Sequence, residues 1–160
     1  MNLVATLPMV LVVLLAVLLL AAAAEDTIRL RISNVTSIGV FLLALVGAGL
    51  AGFPIALWQN AVVFVALLVA GTLAFAGGNI GGGDVKLLAA VGAWVNFQGA
   101  LGLLVAVFVA GGFLALGFIA VRLKRGLGMK RQKREAGGIP YGLAIVTGAF
   151  LVFASQRQLI

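Results

Sequence analysis

Apolar residues run almost unbroken along this chain, from about Leu3 to Ala24, Val35 to Gly52, Ile55 to Ala76, Asp84 to Val95, Ala100 to Val121 and Ile139 to Ala154. A helix needs about 20 apolar residues to cross a hydrocarbon core of roughly 30 Å, and in lipid only helices and closed barrels satisfy their own backbone. With 160 residues, 64% of them hydrophobic and 9% charged, there is room for about six such helices and little else. The expected fold is an all-α membrane bundle of about six helices, a single polytopic unit over 1–160. The run at Asp84–Val95 is short and can borrow its first turn from the glycines before it. Pro54 and Trp58 in "AGFPIALWQN" mark a break at an interface, and "NFQG" a tight polar turn.

The small residues of "LLLAAAAED" resemble a signal cleavage region. Met1–Thr6 carries no basic residue, however, and the apolar run exceeds an ordinary leader core, so the segment is expected to stay as a span.

Basic residues orient the bundle. With the N-terminus outside, the cytoplasmic loops are Glu25–Asn34, Gly77–Gly83 leading into Lys86, and the basic stretch 122–138. Ten of the eleven Lys and Arg residues then lie inside, and Arg157 alone lies outside with the C-terminus. A net charge of +7 would point to nucleic acid in a soluble chain. Beside apolar spans it points instead to anionic membrane lipid, and no nucleic acid partner is expected.

The chain has no Cys and no His. Disulfides, thiolate or imidazole metal sites, Cys nucleophiles and Ser-His triads are therefore excluded, and neither a metal nor a cofactor is expected. The ordinary acid-base groups are the four acids Glu25, Asp26, Asp84 and Glu135. Asp26 ends the first span and Asp84 begins the fourth, so alternation of the helices puts both at the cytoplasmic face. Two carboxylates at one depth on different helices can meet. Glu25 points elsewhere on its helix, and Glu135 follows a basic run.

Asp84 follows three glycines in "NIGGGDVKLL". Taken alone the glycines read as a linker. The phosphate-loop ending Gly-Lys-Ser/Thr is missing, and Lys86 stands where a dinucleotide fingerprint needs its last glycine. With the aspartate, "GGGDVK" at 81–86 resembles the Gly-x-Gly-Asp-x-Lys signature of the prepilin peptidase family, intramembrane aspartic proteases. "EDTIRLRISN" at 25–34 looks like that family's first-aspartate motif, in which Asp26, Ile32 and Asn34 keep the spacing. "GGIPYGLAI" at 137–145 resembles the Pro-aromatic-Gly entry to its last helix. The length is similar to the short members found with tight-adherence (Flp-type) pilus systems. Two departures stand out: Ser33 occupies the usual proline position, and Ile28 replaces a common arginine. The paired Cys-x-x-Cys motifs of the longer, bifunctional members are absent, so their N-methylation of the processed pilin is not implied here.

The resemblance implies an aspartic endopeptidase of the bacterial inner membrane that removes the basic leader of a prepilin or pseudopilin. Asp26 and Asp84 would be catalytic, and Gly81, Gly83, Lys86 and Asn34 would support them. Peptide hydrolysis by such a pair needs one ionised carboxylate to activate water and one protonated carboxyl to donate, which like-charge proximity and partial desolvation favour. Lys86 lies two positions from Asp84 and so on another helix face, where an anchoring role is expected. Two other classes fit the residues. One is a non-catalytic scaffold or assembly factor of a pilus or secretion system, with the aspartates as interfacial charges paired to Arg29, Arg31 or Lys86. The other is a small transporter, which calls for acids deeper in the spans than any found here.

Overall fold

The computed structural model describes residues 1–78, 80–125 and 141–158, with the side chains of 122–125 and 158 left aside. These residues form seven α-helices and one 3-10 turn. They are α1 (Leu3–Thr6), α2 (Met9–Arg29), α3 (Asn34–Leu50), α4 (Trp58–Ala76, entered through the turn Ile55–Leu57), α5 (Gly82–Gly92), α6 (Phe97–Arg125) and α7 (Tyr141–Gln158). Most of the expected basic segment 122–138 lies outside the described residues.

The first apolar run is not one helix. Leu7, which precedes Pro8, is extended at φ −93° and ψ 155°, so the run splits into α1 and α2. The proline ring excludes its predecessor from the helical region and removes a backbone donor, and Pro8 then starts α2 from its N-cap. A second correction concerns the loop expected over Glu25–Asn34. The helix continues through Asp26 to Arg29, and the turn is confined to Leu30–Ser33. Leu30 closes α2 in the left-handed region at φ +51°, with its N–H on the carbonyl of Asp26 at 2.9 Å. Ser33, the residue at the family's proline position, caps α3 by accepting from the Thr36 N–H at 3.2 Å.

Among the described residues, three helices are long and apolar enough to cross a membrane: Met9–Arg29, Ile55–Ala76 and Phe97–Val121. The apolar α3 is shorter, with 17 residues. At 1.5 Å per residue, the 11 residues of α5 reach only about 17 Å. The small α5 sits inside: Val85, Leu87, Ala89, Ala90, Val91 and Gly92 are all buried, and the helix packs against α3, α4 and α7. As expected, it takes its first turn from Gly82 and Gly83.

The contacts between helix ends, Asp26 with Gly142, Gly83 with Ile32 and Trp58 with Phe97, show α2 to α7 alternating in direction. One end of the bundle therefore gathers the α2–α3 turn, the start of α5 and the start of α7. The other gathers α1, the start of α4 and the α5–α6 turn, where Leu3 N–H donates to Trp94 O at 3.0 Å and the buried Trp94 indole donates to Val40 O at 3.2 Å.

Candidate active site

Asp26 lies in the last turn of α2 and is 5% exposed. Its Oδ2 accepts from the backbone N–H of Gly142 at 2.7 Å. Gly142 is the second residue of α7, so the carboxylate sits on the free N–H groups and positive dipole end of that helix. Glycine is required there: a Cβ on Gly142 would stand 2.8 Å from that same Oδ2 and 2.7 Å from Ile32 Cδ1. The last helix reaches the first aspartate only because this residue has no side chain.

Asp84 lies in the first turn of α5 and is half-buried. It faces the cavity that Asp26 faces, a space of about 250 Å³ lined also by Leu30, Arg31, Ile32 and Gly81–Gly83. The second close approach closes this wall. A Cβ on Gly83 would meet Ile32 at 3.1 Å from both its Cβ and its carbonyl oxygen, so α5 starts directly against the backbone of the α2–α3 turn.

The supporting residues also come together. Lys86 Nζ donates to Asn34 Oδ1 at 2.8 Å, which ties α5 to the start of α3 away from the carboxylates. The side chain expected as an interfacial anchor is thus also a cross-link between the two motifs. Glu25 is turned from the cavity. Its carboxylate accepts from Ser33 N–H at 2.9 Å and Thr36 Oγ1 at 3.0 Å, and so holds the turn beside Asp26. No group of three or more acidic side chains gathers among the described residues to hold a metal.

Gly142 is a partner of Asp26 that residue types alone do not assign. Its signal was present in "PYG", a proline and a glycine at the start of an apolar run, but a backbone donor has no letter of its own.

Residues 13–116 match the family model described as the type IV leader peptidase family. The chain belongs to that family. No curated protein and no solved structure matches the chain. Membership in the leader peptidase family, together with the apolar helices, makes this a membrane protein and a peptidase. The matched segment runs from within α2 into α6 and contains both aspartates. The α7 contact with Asp26 lies beyond it.

Proposed function

We propose that this leader peptidase is an aspartic endopeptidase that cuts the basic leader from type IV or Flp-type prepilins or pseudopilins. Asp26 and Asp84 would act as one unit at the cytoplasmic face of the bacterial inner membrane. The observation that carries the reading is the shared cavity: two carboxylates from distant parts of the sequence face one space of about 250 Å³. Liquid water takes about 30 Å³ per molecule, so a water and a peptide carbonyl can stand between them. The ionised carboxylate takes a proton from the water as its oxygen attacks the scissile carbonyl carbon. The protonated carboxyl gives its proton to the carbonyl oxygen; as the C–N bond then breaks, the carboxyl that took the water's proton passes it to the leaving amine, and a hydroxyl of the tetrahedral intermediate returns its proton to the other carboxylate.

In this reading the six longer helices α2 to α7 all cross or enter the membrane, with both termini outside and the basic stretch 122–138 against anionic lipid. The whole chain 1–160 works as one peptidase unit, and Gly81, Gly83, Asn34 and Lys86 shape the site.

The test is co-expression with candidate prepilins, with leader removal read on a gel. Asp26→Asn and Asp84→Asn each keep the shape of the side chain and lose the exchangeable proton. Each is expected to lower cleavage by about 1,000-fold or more, and the double variant to be no worse, as for residues that act as a unit. A near-normal rate in either single variant would leave a non-catalytic assembly factor as the better account.

A further inference from the structure

Asp26 and Asp84 face one cavity but are held differently. Asp26 Oδ2 takes its donor from another helix, the Gly142 N–H of α7 at 2.7 Å. Neutral N–H···O pairs centre on about 2.9 to 3.0 Å, and bonds to an ionised oxygen are shorter, so this contact has the length that suits a carboxylate. The carboxyl of Asp84 lies back over Gly81, the N-cap of its own helix, where an added Cβ would stand 2.8 Å from Oδ2. Asp84 also borders a chamber of about 340 Å³ whose other walls are apolar or glycine, apart from Tyr141.

We propose that α7 divides the roles of the pair: the Gly142 N–H makes Asp26 the ionised carboxylate that activates water and leaves the proton on Asp84. The inference rests on the peptidase reading above and deepens it, since a shared cavity does not say which acid is the base. Both aspartates lie at the start of a helix, Asp26 against α7 and Asp84 within α5, so helix dipoles alone do not separate them. The donor from a second helix does, because a hydrogen bond to an ionised oxygen is roughly twice as strong as one to a neutral oxygen. The apolar chamber acts in the same direction: apolar walls and a charged Asp26 nearby both disfavour a second charge on Asp84. The other charged groups of this end do not reverse the order. Arg31 lines the space common to both aspartates, Lys86 is bonded to Asn34, and Glu25 is turned to Ser33 and Thr36.

The reaction then has a fixed direction across the cavity. Asp26 takes a proton from water as the water oxygen bonds to the scissile carbon, and Asp84 gives its proton to the carbonyl oxygen. Asp26 next passes its new proton to the nitrogen, the C–N bond breaks, and a hydroxyl of the intermediate returns a proton to Asp84. Both carboxyl groups end as they began. The substrate therefore enters with its carbonyl oxygen toward Asp84 and its water on the Asp26 side. Gly142 touches no reacting atom and is a positioning residue.

A pH–rate profile gives the same bell for either assignment, because the pair carries one proton in both. The test therefore follows the proton at named atoms, by NMR of the full chain in detergent. The sequence supplies two unambiguous labels. Asp26 and Asp84 are its only aspartates, so carbon-13 in the Asp carboxyl gives two signals; Tyr141 is its only tyrosine, so carbon-13 at the Tyr carbonyl with nitrogen-15 in Gly selects the Gly142 amide. Between the two titration steps one carboxyl signal should lie at the protonated and the other at the ionised position. The Gly142 N–H should hold its shift through the upper step, in which Asp84 loses its proton, and move upfield through the lower step, in which Asp26 gains one. In Asp84→Asn the remaining carboxyl signal should be ionised at pH 7 with the Gly142 amide unmoved. Movement of that amide with the upper step would make Asp26 the proton donor and overturn the proposal. So would two carboxyl signals that each move halfway in both steps, the sign of an evenly shared proton. These readouts come from the unmodified chain and hold whether or not a variant folds. They also need no substrate, so a failed assignment leaves the peptidase standing, whereas signals as expected with no cleavage of any prepilin would remove the peptidase reading and the catalytic roles with it.

Discussion

At the end of the bundle that holds α1, Asn60 is 4% exposed, and its amide donates to the carbonyls of Met1 at 2.9 Å and Ala93 at 3.0 Å while accepting from the Met1 amino group at 3.1 Å. At the opposite end Asp26 is 5% exposed, and its Oδ2 accepts from Gly142 while the side chain also faces open space beside Asp84. Burial is alike; the use of hydrogen-bonding capacity is not. A neutral amide with its donors and its acceptor engaged is a joint between segments. A carboxylate can accept about four hydrogen bonds, and one held from one side retains lone pairs for a water or a substrate. In the proposed reading, polar burial in an apolar bundle marks a reactive site only where capacity is left over beside a cavity.

The contrast fails first at the aspartates if it is wrong. The Asn variants that remove about 1,000-fold of cleavage should melt in detergent within a few degrees of the unmodified protein, because Asn preserves shape and bonding at both positions. A variant that lost activity only by failing to fold would make Asp26 a joint like Asn60.

Gly142→Ala comes next. Its Cβ would stand 2.8 Å from Asp26 Oδ2, and the flexible Ile32 tip can yield where the bonded carboxylate cannot. A displacement of that order is expected to cost about 100-fold in cleavage, as misplaced reactive groups do. Cleavage within twofold of normal would mean that the α7 donor is not part of the working site.

Asn60→Leu should give the opposite pattern. It leaves the Met1 and Ala93 carbonyls without their donor, so unfolding is expected to become easier by about 1–3 kcal/mol. The specific activity of the folded fraction should stay within about twofold, measured beside the melting curve. A large fall in specific activity without destabilisation would erase the distinction between the two ends.

The candidate site was legible in the sequence to the extent that it is made of scarce letters. With only four acidic residues, a pair in motif order at matching helix ends was hard to miss, and both members face one cavity. The helical class and the alternation of ends followed from the apolar runs. What escaped was whatever hydropathy cannot rank. The interior of such a bundle is no more apolar than its lipid-facing side, so the usual amphipathic stripe vanishes, and apart from its shorter run the buried α5 reads like the outer α6. The break at Pro8 is carried by the proline alone, because the apolar run continues across it without a change in hydropathy. The N–H of Gly142 and the capping bonds of Glu25 belong to backbone geometry, which residue types only hint at.

The smallest effect concerns Glu25, and it tests the comparison within a single helix turn. Glu25 and Asp26 are adjacent acids, yet Glu25 has the character of Asn60. Its carboxylate binds Ser33 N–H and Thr36 Oγ1, both on the α2–α3 turn, and does not line the cavity. Glu25→Gln keeps an acceptor oxygen for these donors, so cleavage should remain within about twofold of normal. Glu25→Ala leaves Ser33 N–H without its partner and loosens the turn that carries Arg31 and Ile32 to the cavity wall. A loss of about 1 kcal/mol in stability is expected for that variant, with a several-fold fall in kcat/KM and no change in the pH profile. The conservative variant therefore separates holding from proton transfer. If Glu25→Gln fell as far as Asp26→Asn, the acid that works with Asp84 would have been assigned one residue too late.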